Sequence, residues 1–161
     1  MIGDWIFGCD ICQDICPVNI DVEKSQVPGF HQRHDFAAPD LIPLLDLDDA
    51  GFSERFKNSA VKRTKRVGLQ RNVCVALGNI GDPRAVPALI RTLSTAPPLV
   101  KQHAAWALGR IGNNVAILGL SSALSKEENL EVRAEIEAAL REAKETNIDN
   151  INAPGYVQES K

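Results

Sequence analysis

The stretch "LQRNVCVALGNIGDPRAVPALIRTLS", residues 69–94, decides the fold. It reads as helix, turn, helix. Leu69, Val73 and Leu77 recur at i, i+4 and i+8 and so share one helical face. Gly78 and Gly81 are expected to break that helix and allow a tight turn. Asp82 is placed to cap the next helix, with Pro83 in its first turn. Val86, Leu89, Ile90 and Leu93 form that helix's apolar stripe. The pattern returns 31 residues later in "VKQHAAWALGRIGNNVAILGLSSALS", residues 100–125, with identities at Ala76/Ala107, Leu77/Leu108, Gly78/Gly109, Ile80/Ile111, Gly81/Gly112, Leu93/Leu124 and Ser94/Ser125. A weaker third copy, "LEVRAEIEAALREAKE", lacks the glycines and carries more charge, as a terminal capping unit should. One hairpin cannot bury both of its faces, so the units must stack. The expectation is an all-α chain built as a short right-handed α-solenoid.

"LGNIGDPRAVPAL" resembles HEAT repeats, in particular the short HEAT-like class also found in phycobilin lyases. That resemblance spans about residues 69–145 and implies a fold, since solenoids are general binding scaffolds. Outward from it, residues 40–58 suggest two short helices that complete a helical domain over 40–145. Asp40 is the expected cap of the first and Ser53 of the second, with Phe52 and Phe56 on one apolar side. Residues 18–39 contain Pro28, Gly29 and Pro39 and read as an extended connector; residues 146–161 are polar and read as a flexible tail.

The chain of 161 residues is 44% hydrophobic, enough for one packed domain with an appendage. No apolar run approaches the roughly 20 residues of a membrane helix, and no signal-peptide pattern opens the sequence. We read a cytoplasmic protein. The net charge of −3 conceals a segregation: residues 1–54 carry net −9, residues 126–161 net −4, and residues 55–125 net +10 with Asp82 their one acid. Arg55, Lys57, Lys62, Arg63, Lys65, Arg66 and Arg71 fall within seventeen residues. Lys62, Lys65 and Arg66 share a face if that stretch is helical. Such a block suits a polyanion, although a solvated helix face reads equally well.

"FGCDICQDICPVN", residues 7–19, holds three of the four cysteines. Such local clustering makes a poor disulfide framework and points to metal. Cys9-x2-Cys12-x3-Cys16-Pro17 reproduces the second half of the bacterial ferredoxin run, with one cysteine fewer. On that likeness Cys9 and Cys12 bind one cluster and Cys16 a second, and neither site closes within the chain. Two other readings stay open: a structural zinc on the three thiolates plus His31 or His34, and unliganded thiols. Cys74, between Val73 and Val75, reads as a small core residue. His103, in a repeat helix, reads as partly buried packing without an acid–base role.

Cysteine motif, connector, short helices, basic segment and repeats stand in an order that closely resembles the C-terminal portion of epoxyqueuosine reductase. The matching stretches are "FGCDICQDICP", "FKNSAVKRTKRVGLQRNVCVALGN" and "GDPRAVPAL". Val18 departs from the tryptophan common in that family. The family's proteins are longer, with a cobalamin-binding domain and a full four-cysteine motif in their N-terminal half. The resemblance implies that the chain is a C-terminal fragment or a separately encoded half, unable to catalyse alone. The parent reaction reduces epoxyqueuosine to queuosine in tRNA, through two [4Fe–4S] clusters and cobalamin. Carried over, Cys9, Cys12 and Cys16 are cluster ligands; the basic segment is expected to dock the RNA backbone without reading bases. A non-enzymatic HEAT-like module binding a protein or RNA, with a vestigial cluster motif, is the alternative.

Overall fold

The computed structural model describes residues 3–23, 25–27 and 39–152. In chain order its α-helices are α1 (Ile11–Asp14), α2 (Ile42–Leu45), α3 (Asp49–Arg55), α4 (Lys65–Ile80), α5 (Val86–Thr95), α6 (Pro98–Ile111), α7 (Asn114–Leu124) and α8 (Leu130–Asn152). Short 3₁₀ turns cover Pro17–Asn19, Ala60–Thr64 and Pro83–Ala85. No strand occurs among the described residues, as expected for an all-α chain. No described helix is long and apolar enough to cross a membrane.

Stacking of the repeats follows from their stripes. Helices α4, α6 and α8 form one row, each packed on the next; α5 and α7 form the second, and both rows close on α6. Leu69, Val73 and Leu77 are buried as the spacing requires, as are Val86, Leu89 and Leu93. Ile90 is only half-buried, because it reaches sideways to Gly119 of α7. The central helix α6 is crowded on several sides, and its buried residues are correspondingly small: Ala104, Ala105, Ala107 and Gly109, with Val100 and Leu108. Cys74 is fully buried, and desolvation pushes its thiol up to about 12, so it packs as a neutral side chain.

The repeat's two glycines do different work. Gly81 and Gly112 end α4 and α6 in the left-handed conformation (φ 72° and 62°), the role both were expected to share with Gly78. Gly78, however, lies inside α4 and breaks nothing. A Cβ there would stand 2.7 Å from the Trp106 ring and 3.0 Å from the Ala107 Cα. Gly109 stands in the same relation to α8, where a Cβ would be 2.9 Å from the Ala139 Cα and 3.0 Å from its carbonyl oxygen. Glycine is required at these two positions by the backbone approach of successive helices within the row.

The caps follow the sequence at the repeats and depart from it upstream. Asp82 accepts from the Arg84 amide at 2.8 Å, and Asn113, 31 residues on, accepts from the Ala116 amide at 2.8 Å. Asp40 accepts from Ile42 at the start of α2. Helix α3, by contrast, is capped by Asp48, which accepts from Gly51 at 2.7 Å; Ser53 sits inside the helix. Phe52 and Phe56 are buried with ring centroids 5.2 Å apart, consistent with a core role. At the C-terminus α8 continues to Asn152, seven residues past the expected end of the helical domain; residues 153–161 lie outside the described residues.

Changing Gly109 to alanine is expected to destabilise the fold by about 2 kcal/mol, because the obstructing atoms belong to the Ala139 backbone. Gly119→Ala meets only the movable end of Ile90, 2.5 Å away, and gains helix propensity. It should stay within about 1 kcal/mol of the wild type. Urea denaturation of the two variants checks the order; equal midpoints would refute the assignment.

Candidate functional site

The cysteine segment lies along α4. Asn72 and Asn79 are seven residues apart on that helix, two turns, and so face the same way. The Asn79 side-chain amide donates to the Gly3 carbonyl at 2.6 Å and the Asn72 amide to the Ile6 carbonyl at 2.8 Å. The segment therefore runs antiparallel to α4, with Ile6 packed against the core. Nothing in the periodicity announces these anchors. The available signal was chemical: asparagine is a poor helix former, and two of them in one helix interior ask for a partner.

Beyond Ile6 the backbone is bent around the first thiol. Gly8 (φ 61°) and Asp10 (φ 45°) flank Cys9, both in the left-handed region. Asp10 opens α1, its carbonyl accepting from the Gln13 and Asp14 amides. The one-turn helix carries Cys12. The Cys16 amide donates to the Gln13 carbonyl, Pro17 starts the 3₁₀ turn, and the Asn19 side chain donates back to the Gln13 carbonyl at 3.0 Å. Cys9 and Cys12 are exposed and Cys16 is half-buried. Val18, the departure from the family pattern, is exposed and takes no part in packing.

Thiol side chains of this kind suit soft metals. Among the described residues no group of three or more Cys, His, Asp or Glu converges on one ion. His31 and His34, the imidazoles of the zinc alternative, lie outside the described residues, as do Pro28 and Gly29 of the connector. His103 is half-buried, its Nδ1 2.8 Å from the Leu99 carbonyl, consistent with packing.

The basic residues divide into two sets. Arg55, Lys57, Lys62, Arg63 and Lys65 are exposed. Lys62, Lys65 and Arg66 do not share one α-helical face as expected: Ala60–Thr64 is a 3₁₀ turn, and Lys65 takes φ 58° before α4 begins. That kink turns Lys65 out of register with Lys62. Arg66 is internal wiring. Its Nε donates to Asp49 at 2.7 Å and its Nη1 to Gln70 at 3.0 Å, while the buried Gln70 amide donates to the Leu45 and Leu47 carbonyls. Arg71 is half-buried and donates twice to the Asn72 side chain, at 3.0 and 2.8 Å.

Residues 60–141 match the HEAT-repeat family. An uncharacterized protein of Geobacillus stearothermophilus is 35% identical over 84% of this chain and 63% of its own length. The epoxyqueuosine reductase of Bacillus subtilis is 34% identical over 86% of this chain and 36% of its own. A crystal structure of epoxyqueuosine reductase with an epoxyqueuosine-modified tRNA-Tyr stem loop is similar with a TM-score of 0.83 and 33% identity, covering 89% of this chain and 38% of that one. The chain thus spans less than two thirds of the first relative and little more than a third of the other two.

Alkylation of the native chain should modify three thiols rapidly, those of Cys9, Cys12 and Cys16, and reach Cys74 only after denaturation. Mass spectrometry counts the adducts; a fourth fast adduct in the folded state would contradict the burial of Cys74.

Proposed function

The chain belongs to the HEAT-repeat family, and on that premise we propose that it is the C-terminal part of a tRNA epoxyqueuosine reductase. What supports this reading is one observation: the likeness to those enzymes covers 89% of the chain, well beyond the repeats at residues 60–141. A scaffold shared through its repeats alone would match little beyond residues 60–141. The whole reaction, reduction of epoxyqueuosine to queuosine in tRNA with cobalamin as a further cofactor, needs residues outside 1–161.

Within that enzyme this chain has two tasks. Cys9, Cys12 and Cys16 would hold [4Fe–4S] clusters, the first two on one and the third on another, and the remaining thiolates come from outside the chain, because Cys74 is sealed in the core. When bound, such clusters supply one-electron transfer. The chain's own work there is to fix the loop's shape, through the left-handed bends at Gly8 and Asp10 and the closure of Asn19 on Gln13. The second task is to seat tRNA. Arg55, Lys57, Lys62, Arg63 and Lys65 are exposed before and at the start of α4 and offer a cationic surface for phosphates. The cytoplasm, where tRNA is modified, is the proposed location.

Two measurements test the reading. Lys62→Glu combined with Lys65→Glu should weaken binding to a tRNA stem loop at least about tenfold at low salt and flatten the salt dependence by one to two charges. Unchanged affinity removes the docking role. Anaerobic reconstitution together with the polypeptide that completes the ligand set should yield about eight irons per complex; one zinc bound by the isolated chain through these sulfurs would overturn the cluster assignment.

A further inference from the structure

We propose that Arg71 is a positioning residue for the cysteine site, its guanidinium supplying the positive charge against which the cluster on Cys9 is held. The inference rests on the cluster reading above and adds a residue of the repeat domain to it.

The argument begins with a cost. Withdrawing a cation from water is unfavourable unless an opposite charge compensates it. Arg71 is half-buried, yet it forms no ion pair among the described residues; its hydrogen bonds go to the neutral Asn72. It lines a cavity of about 540 Å³ with Trp5, Phe7, Cys9, Val75 and His103, and no acidic side chain contributes to that cavity's walls. The cavity is largely apolar and carries a single permanent charge, a setting in which a cation acts strongly on a neighbour. A cysteine-ligated iron–sulfur cluster is anionic and becomes more so on reduction. Its potential follows net charge, hydrogen bonding and exposure.

The hydrogen-bond order gives Arg71 its place. Asn72 uses its carbonyl oxygen to hold the guanidinium and its amide to hold the Ile6 carbonyl, three residues before Cys9. One side chain thus fixes both the charge and the segment that carries Cys9. Of the three clustered cysteines Cys9 alone lines this cavity, so the effect belongs to the cluster that Cys9 holds.

Redox titration of the cluster-loaded complex, followed by electron paramagnetic resonance, tests this. Arg71→Gln is expected to move one of the two midpoint potentials to a more negative value and leave the other in place. Arg71→Lys, which keeps the charge, should restore most of the shift. Asn72→Ser, which loosens the guanidinium without removing it, should give a smaller shift of the same sign. Two unchanged potentials in an iron-loaded Arg71→Gln complex overturn the inference while leaving the cluster reading intact. So does a shift of both potentials by equal amounts, or a loss of tRNA affinity in Arg71→Gln with unaltered potentials, which would assign Arg71 to RNA. A wild-type complex that takes up no iron defeats the cluster reading itself, and this inference with it.

Discussion

The close approach of α4, α6 and α8 is the constraint on which the other features depend. Gly78 and Gly109 each remove a Cβ where the next helix in the row passes. With those atoms gone, α6 can be enclosed by helices on several sides, and its Ala104, Ala105 and Ala107 are small for the same reason. The row is continuous from the first repeat to the last. Its first member, α4, is then held by α6 on one side and by α2 on another, leaving a further face open. That open face is where the cysteine segment lies. A residue with a Cβ at Gly78 would push α4 outward and carry the seat of the cysteines with it.

Polar side chains extend the same economy. Gln70 and Arg66 tie α4 to the α2–α3 corner through the Leu45 and Leu47 carbonyls and Asp49. Asn72 and Asn79 tie it to the Ile6 and Gly3 carbonyls. Carbonyls at the end of α2 (Leu45) and in chain outside any helix (Leu47, Ile6, Gly3) are each met by a side-chain amide from the interior of α4. Irregular chain is expensive to bury because its backbone groups lack ladder partners. Side-chain amides at fixed helical intervals meet that need without any added secondary structure.

What the sequence made legible is what periodicity governs. The buried stripes, the Asp82 cap, the terminating Gly81 and the inert Cys74 follow from spacing and residue chemistry within a single helix or turn. What stayed hidden depends on contacts between segments far apart in the chain. Gly78 reads locally as a breaker; only the Ala107 backbone beside it makes it a packing residue. Ser53 is as good a cap by type as Asp48, and the choice falls to where Phe52 and Phe56 must point to be buried. Lys62, Lys65 and Arg66 fit a helical face on paper, whereas the chain spends Lys65 on a kink that redirects it from the 3₁₀ turn into α4. Asn72 and Asn79 carry no pattern at all, because their partners are carbonyls 66 and 76 residues away.

Helix α4 also joins the two proposed tasks. It begins at the kinked Lys65, among the exposed cations, and carries Arg71, Asn72 and Asn79 along its length. Sixteen residues at 1.5 Å each make a rod of roughly 24 Å. Packed against α2 and α6, that rod holds the exposed cations at its start in a fixed relation to the Cys9 loop, which lies beside Arg71 and Asn72. Under the proposed function, an RNA held by its phosphates near the start of α4 would sit at a set distance and direction from the thiols, whatever bases it presents. A flexible tether between a basic patch and a redox loop would give affinity without geometry. A single buttressed helix would give both, which under the proposed function is a physical reason to join a repeat domain to a cysteine loop.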